Sequence, residues 1–130
     1  MVRVARGMTA LDLELDAILT SPLLRAKETA EIVADALDLH RLLREAPVLG
    51  GGCMVGDLQS LLRDQPRRAR VLLVGHEPDF GNLVSGLIGG GRVRMRKASL
   101  ACLEVDRVEP GGGELRWFLT PDQLARLRQS

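Results

Sequence analysis

The sequence predicts an α/β fold, and three observations lead to that prediction. A length of 130 residues suffices for one domain, over residues 1–130, with its own hydrophobic core. Strand-like and helix-like segments alternate along the chain. Twice, a short apolar stretch gives way to a helix opened by proline, in AILTSPLLR (residues 17–25) and in VLLVGHEP (residues 71–78). Such turns gather at the carboxyl edge of a parallel sheet.

The first part of the chain predicts a helix, a strand and a second helix. Val2–Leu11 carries an apolar stripe at helical spacing. LDAILT, Leu15–Thr20, has the length and composition of a short strand. The second helix is predicted to begin at Ser21-Pro22, with Ser21 as N-cap, and to extend to about Leu37. Its predicted buried face consists of Leu23, Ala26, Ala30, Val33, Ala34 and Leu37.

The middle of the chain predicts a further helix and a buried strand followed by another helix. His40–Gly52 is interpreted as a short strand and a glycine-rich loop, and Gly56–Asp64 as a short helix. A strand is predicted at Val71–Val74. The next helix covers Pro78–Ile88 and is stopped by the glycines at positions 89–91. Its apolar face consists of Phe80, Leu83, Val84, Leu87 and Ile88.

The last part of the chain predicts an antiparallel pair of strands and a final helix. Ser99–Asp106 and Glu114–Leu119 are strand patterns, and a Pro-Gly-Gly-Gly turn joins them. Thr120-Pro121-Asp122-Gln123 is a capping-box sequence that opens a helix. This pair therefore stands apart from the parallel strands expected earlier in the chain.

Composition and charge exclude several classes of partner. A formal net charge of +1 gives no overall field that would attract nucleic acid, and three aromatic residues give no platform for stacked bases. Cys53 and Cys102 form neither a zinc pattern nor a disulfide framework, so we expect reduced thiols and a cytoplasmic protein. No signal peptide or apolar span is present in the sequence, so we expect no membrane partner.

The two strand-to-helix turns predict an anion site. Helix N-termini present free N–H groups and a positive dipole end at such an edge. Arg25 lies in the first turns of its helix, and its guanidinium matches phosphate oxygens bidentately. His76 follows Gly75, which is expected to allow a tight turn, and its imidazole can donate a hydrogen bond to a phosphoryl oxygen. We therefore predict that Arg25 and His76 bind one phosphate.

Each of these residues also has a purely structural interpretation. Arg25 is spaced to pair with Glu28, and His76 stands where a histidine caps a helix or packs in the core. Ser21 is interpreted as no more than an N-cap. The anion site is favoured because the same strand-to-helix turn occurs twice, with arginine after one and histidine within the other.

Two other segments are weaker candidates for a site. The GGCMVG segment, residues 51–56, has glycines at P-loop spacing, but Asp57-Leu58 stands where a P-loop needs Lys and Ser/Thr. We therefore reject a nucleotide-binding loop. The basic segment RVRMRK, Arg92–Lys97, is interpreted as a solvated loop or sheet edge, with contacts to an acidic partner as the alternative.

Four segments together resemble the histidine phosphatase superfamily. DAILTSPLLRAKETAEIVADAL and VLLVGHEPDFGNLVSGLIGGG resemble two of its landmark segments, and MRKASLACLEVD and GELRWFLTPDQL resemble the end of its small bacterial phosphohistidine phosphatases. The similarity extends from about Arg3 to Leu124. It implies a three-layer sandwich with a mostly parallel sheet and helices on both faces. It also implies phosphoryl transfer without a metal or other cofactor, on a phosphohistidine protein or a small phosphate ester.

The resemblance gives Arg25 and His76 their expected roles. They match the second arginine and the second histidine of the family's cationic pocket, so both are predicted as catalytic and phosphate-binding residues. In that pocket they neutralise the equatorial oxygens as charge spreads in the transition state. Glu77 and Asp79 are close enough in sequence to be weighed as acids, and no role is assigned to them.

The chain departs from the family at the nucleophile. The family's nucleophilic histidine lies in an N-terminal Arg-His-Gly segment that ends the first central strand, and the sequence contains no Arg-His-Gly. His40 is in the wrong segment to replace it, so we predict no nucleophile and no first central strand in this chain. Neighbouring strands would then have unpaired edges, which predicts marginal stability or a homodimer through an exposed sheet edge.

Two main functions are therefore expected from the sequence. The first is a phosphohistidine phosphatase-type hydrolase that acts through a phosphohistidine intermediate, with this chain alone inactive. The alternative is a non-catalytic module that binds phosphate or a phosphoprotein. A broader phosphomonoesterase or mutase relative is a third interpretation, ranked lower because the chain is short and lacks long insertions.

Overall fold

The computed structural model describes residues 1–128. In it, helices and strands alternate, as the sequence predicts. The helices are α1 (Val2–Met8), α2 (Leu24–Ala36), α3 (Val55–Leu62), α4 (Asp79–Leu87) and α5 (Pro121–Arg126). The strands are β1 (Ala17–Thr20), β2 (Leu43–Glu45), β3 (Val71–Val74), β4 (Leu100–Val105) and β5 (Gly113–Leu119). Short 3-10 helices lie at Thr9–Leu11, His40–Leu42 and Pro47–Gly50. The α/β class predicted from the sequence is confirmed.

The strands form two sheets. In the first, β1 lies in the middle and pairs in parallel with β2 on one side and with β3 on the other. Its register opposite β3 matches Thr20 with Val74. In the second, β4 and β5 form the predicted antiparallel pair, with an irregularity between Cys102 and Leu103.

Helices cover both faces of the strands, which confirms the three-layer sandwich. Because side chains alternate along a strand, Leu72 and Leu73 of β3 point to opposite faces. Leu72 packs on the face covered by α1, α2 and α5, and Leu73 on the face covered by α3 and α4. The buried residues of the first face are Val4, Ala5, Met8, Val33 and Leu124. Those of the second face are Leu19, Ala46, Leu49, Cys53, Leu58, Leu83 and Leu87.

A gap separates the two sheets between β3 and β4. Over residues 1–128, β3 pairs only with β1, and β4 only with β5. Yet side chains of both strands share the two cores, since Leu72 and Leu100 pack in one cluster and Leu73 and Leu103 in the other. The strands therefore share a core but no hydrogen-bonded ladder. This arrangement agrees with the predicted absence of a central strand.

The start of α2 differs from the prediction. The helix begins at Leu24, and its N-cap is Leu23, not Ser21; Pro22 lies outside the first helical turn. Leu23 has extended backbone angles, φ −69° and ψ 142°, so its side chain is not part of the helical stripe. The prediction that Leu23 is buried is therefore wrong, and it is 50% exposed. The buried positions predicted farther along the helix are confirmed for Ala26, Ala30, Val33 and Ala34.

The first helix, predicted over Val2–Leu11, is α-helical only to Met8 and ends in the 3-10 helix Thr9–Leu11, and the other boundaries agree with the sequence to within two residues. β1 begins at Ala17 instead of Leu15, and α4 begins at Asp79 with Pro78 as its N-cap. The capping box of α5 is confirmed: the Thr120 N–H donates to Gln123 Oε1 at 2.9 Å, and the Gln123 N–H donates to Thr120 Oγ1 at 3.2 Å. In the part of the chain that the structure describes, none of the helices has the length and apolar character needed to cross a membrane.

We expect the stability of this chain to depend on its concentration. The open edges of β3 and β4 carry backbone groups without ladder partners within residues 1–128, and two copies that pair there stabilise each other by mass action. The midpoint of urea denaturation, measured at two protein concentrations about a hundredfold apart, should therefore rise with concentration. A stable monomer with one midpoint at both concentrations would contradict this.

Candidate functional site

The register of β1 and β3 places two loops side by side. Since Thr20 is opposite Val74, the residues that follow each strand leave the sheet at the same carboxyl edge. The Ser21 N–H donates to the Val74 carbonyl at 2.9 Å, which extends the pairing by one step beyond the strands. The loop that leads into α2 therefore lies against the loop that leads from β3 into α4.

A side-chain hydrogen bond joins the two loops. Ser21 Oγ lies 2.7 Å from His76 Nε2, and Ser21 is completely buried. The same Oγ accepts the Leu23 N–H at 3.1 Å. A serine hydroxyl has two acceptor positions and one donor, so this geometry suits either neutral tautomer of the imidazole. Within residues 1–128 no other hydrogen bond forms to the His76 ring, and Nδ1 has no protein partner.

Arg25 and His76 line the same cavity. Arg25 is the second residue of α2, and its side chain is exposed. It makes no ion pair or side-chain hydrogen bond with the described residues, so the alternative pairing with Glu28 is not formed. The guanidinium is therefore available to a ligand. The fold therefore brings Arg25 and His76 to the same cavity, as predicted from the sequence.

The cavity has a volume of about 410 Å³ and lies in the gap between the two sheets. Side chains of α1, β3, β4 and α5 form its apolar walls, including Val4, Met8, Leu72, Leu100 and Leu124. Its polar lining consists of Arg25, Thr29, His76, Glu77, Arg96, Lys97 and Ser99. Three fixed cations and one carboxylate make this lining electropositive, which suits an anion.

Glu77 is the acid that lines the cavity. Burial raises the pKa of Glu77, the Gly81 N–H hydrogen bond opposes that rise, and the nearby Asp79 carboxylate adds to it. Its Oε1 accepts the Gly81 N–H at 3.0 Å. Asp79 is not part of the cavity lining and accepts the Gly52 N–H at 2.8 Å instead. Of the two acids near His76 in sequence, only Glu77 therefore faces the candidate site.

Gly75 has a different role from the predicted one. The φ angle of Gly75 is not positive, so a left-handed turn does not explain why a glycine stands at this position. A Cβ at this position would lie 2.4 Å from Cε1 of Phe80, so the ring could not keep its present position beside any other residue. The Phe80 N–H also donates to the His76 carbonyl at 3.0 Å. Gly75 therefore allows the first turn of α4 to pack directly against the segment that carries His76.

The other candidate residues lie outside the cavity. The Gly52 amide of the GGCMVG segment is occupied by Asp79, which agrees with the rejection of a P-loop there. Cys53 is buried, and burial raises the pKa of its thiol, which disfavours a nucleophilic thiolate. His40 is exposed, as predicted, in the 3-10 helix before β2.

Sequence reasoning missed two features of this site. Ser21 was interpreted as an N-cap, whereas its Oγ holds His76. The signal available was its position directly after one strand, opposite the histidine turn that follows the other. The segment Arg92–Lys97 is a loop, as predicted, but Arg96 and Lys97 also line the cavity. No local pattern in the sequence indicates the path of that loop.

Comparisons with known proteins give a consistent result. The sequence profile of the histidine phosphatase superfamily (branch 1) matches residues 4–47. Phosphohistidine phosphatase SixA of Escherichia coli (strain K12) is 32% identical over 123 residues, which cover 93% of this chain and 76% of SixA. An uncharacterized protein of Picosynechococcus sp. is 35% identical over 105 residues, which cover 75% of this chain and 61% of that protein.

Solved structures show the same similarity in three dimensions. The structure of a protein histidine phosphatase SixA complexed with tungstate aligns with a TM-score of 0.76 at 30% identity, covering 95% of this chain and 80% of that one. A structure from Agrobacterium tumefaciens aligns with a TM-score of 0.67 over 92% of this chain and 80% of that one, and at 20% identity it shows the fold alone.

We expect Ser21→Ala to weaken phosphate binding. The substitution removes the one hydrogen bond that the His76 ring forms within residues 1–128, and it leaves the Leu23 N–H without its acceptor. A loss of about 1–2 kcal/mol, or roughly fivefold to thirtyfold in the dissociation constant for inorganic phosphate, is expected by calorimetry. Ser60→Ala is the control, because the Ser60 hydroxyl is exposed and only contacts Gly56 O at 3.4 Å. Equal phosphate affinity in the two variants would contradict the role of Ser21.

Proposed function

The chain belongs to the histidine phosphatase superfamily, and from this premise we propose that it is a phosphohistidine phosphatase-type hydrolase whose phosphate pocket contains Arg25 and His76. The observation that supports the pocket is that both side chains line one cavity at the carboxyl edge of β1 and β3. A structurally similar SixA is known in complex with tungstate, a tetrahedral oxyanion like phosphate. The same chemistry is proposed for this cavity.

Arg25 and His76 have complementary tasks in this proposal. The exposed guanidinium of Arg25 donates two parallel hydrogen bonds to phosphoryl oxygens and neutralises part of their charge. His76, whose ring is fixed by Ser21, presents its remaining nitrogen as a second donor. Donors that are already in place stabilise the charge that spreads over the equatorial oxygens in the transition state. Metal independence is part of this proposal, because these cationic side chains take the neutralising role.

The covalent step needs a histidine that these residues do not supply. In the proposed reaction a nucleophilic imidazole forms an N–P bond as the bond from phosphorus to the leaving group breaks, and water then forms an O–P bond as that N–P bond breaks. His76 is assigned to the pocket, and His40 lies outside the cavity. We therefore propose that this chain alone binds a phosphorylated partner, a phosphohistidine protein or a small phosphate ester, without turning it over.

A cytoplasmic location is also part of the proposal. Its support is compositional, since the two cysteines form neither a disulfide framework nor a zinc pattern in the sequence.

Tungstate binding tests the proposed pocket. Arg25→Gln removes the charged guanidinium fork and His76→Asn removes the imidazole, and we expect each to raise the dissociation constant for tungstate about tenfold or more, measured by calorimetry. Arg63→Gln and His40→Asn are matched controls, because both residues are exposed and outside the cavity lining. Their affinities should stay at the unsubstituted value. Tungstate binding that is insensitive to Arg25 and His76 would contradict the proposed pocket.

The same lack of a nucleophile favours a second function, a non-catalytic phosphate- or phosphoprotein-binding module. A turnover measurement separates the hydrolase from the binding module. A phosphohistidine protein incubated with this chain should keep its phosphoryl group, whereas addition of a polypeptide that carries an Arg-His-Gly strand should start hydrolysis if the chain is part of a hydrolase. Inorganic phosphate release measures this. Continued inactivity would favour the binding module, and robust hydrolysis by this chain that survives His76→Ala would contradict both assignments.

A further inference from the structure

The segment Arg92–Lys97, here called the basic loop, carries a dense cluster of unpaired positive charge. Arg92, Arg94, Arg96 and Lys97 are all exposed, and six consecutive residues contain no acid. None of the four makes an ion pair or a side-chain hydrogen bond with the rest of the described chain. The whole chain has a net charge of only +1, so the basic loop is a local concentration of charge.

The basic loop is fixed to the fold at several points. Ser85 Oγ donates to the Gly91 carbonyl directly before it. Val93 and Met95 are partly buried between the exposed arginines, and the Val93 carbonyl packs over Gly81, where an added Cβ would lie 3.5 Å from it. At its end, the Arg96 N–H donates to Ser99 Oγ at 3.0 Å, and the Ser99 N–H donates to the Arg96 carbonyl at 2.9 Å. The backbone that presents the arginines is thereby attached to α4 and to the turn before β4.

The basic loop extends outward from the candidate phosphate pocket. Arg96 and Lys97 line the cavity that contains Arg25 and His76, whereas Arg92 and Arg94 are outside it. A small phosphate ester in the cavity would leave Arg92 and Arg94 without a partner. The charges of Arg92 and Arg94 complement a larger ligand, one that carries negative charge around its phosphoryl group.

We infer that the basic loop is a docking surface for an acidic region that flanks the phosphorylated residue of a protein substrate. The inference rests on the proposed function, because it assigns the partner of that same pocket. A protein is favoured over nucleic acid, since the basic loop contains no aromatic side chain for base stacking and the nearby Phe80 ring already packs on Gly75. Arg92 and Arg94 raise the association rate and select acidic partners, and phosphate binding remains with Arg25 and His76.

Two labelled peptides test this inference by fluorescence anisotropy. Both contain a non-hydrolysable phosphohistidine analogue, flanked by glutamates in one and by glutamines in the other. At low ionic strength the unsubstituted chain should bind the acidic peptide about tenfold more tightly than the neutral one, and salt should reduce that preference. The double variant Arg92→Glu/Arg94→Glu should lose the preference and, in about 0.5 M salt that screens the change in charge, keep its affinity for the neutral peptide and for tungstate within about twofold.

Arg63→Glu/Arg67→Glu is the matched control. It makes the same change in net charge at exposed arginines near the amino end of β3, whereas His76 follows its carboxyl end. The control should keep the preference for the acidic peptide. An equal loss in both double variants would overturn the inference, because it would reflect overall charge, and so would a preference that survives Arg92→Glu/Arg94→Glu.

Two further outcomes separate this inference from the proposed function. Binding of both phosphopeptides without preference for the acidic one would overturn the docking surface and leave the phosphate pocket standing. Absence of binding to both peptides and to tungstate would overturn the proposed function and the inference with it. A single-stranded oligothymidylate that binds more tightly than the acidic peptide, with dependence on Arg92 and Arg94, would assign the basic loop to nucleic acid and overturn the inference.

Discussion

The parallel pairing of β1 with β3 is the constraint on which the candidate site depends. Its register places Thr20 opposite Val74 and thereby brings Ser21 to the turn that carries His76. The same pairing sets where the chain leaves the sheet to begin α2, and so where Arg25 lies. A slip of one residue would exchange the two faces of β3 and place Leu72 and Leu73 in the wrong core clusters. Because the register is held by burial on both faces, the site is held by the same forces as the fold.

The gap between β3 and β4 links the stability of this chain to its binding properties. The shared cores hold the two sheets together through side chains, without a ladder between them. The resulting cavity combines apolar walls with the exposed cations Arg25 and Lys97. A ligand that binds there stabilises the folded chain, because it binds the native state alone. The structural weakness of the fold and its candidate site therefore lie in the same place.

Sequence reasoning predicted those features that depend on periodicity and on chain order. The apolar stripes gave the helices and strands, and the meeting of parallel strand ends placed Arg25 and His76 together. Sequence reasoning failed where tertiary contacts determine the environment of a residue. Leu23 is exposed because its backbone is extended at the N-cap, and Gly75 leaves room for the Phe80 ring, which approaches from the next helix. The contribution of Arg96 to the cavity depends on a loop path that no short-range pattern encodes.

The central claim is that the two loops form one anion pocket with His76 in it, and imidazole NMR tests it most directly. The chain contains only two histidines, so His40, exposed and outside the cavity lining, is an internal control. On titration with inorganic phosphate, the ring signals of His76 should shift and saturate while those of His40 stay in place. Signals of His76 that do not respond, or that shift only in parallel with those of His40, would contradict the account.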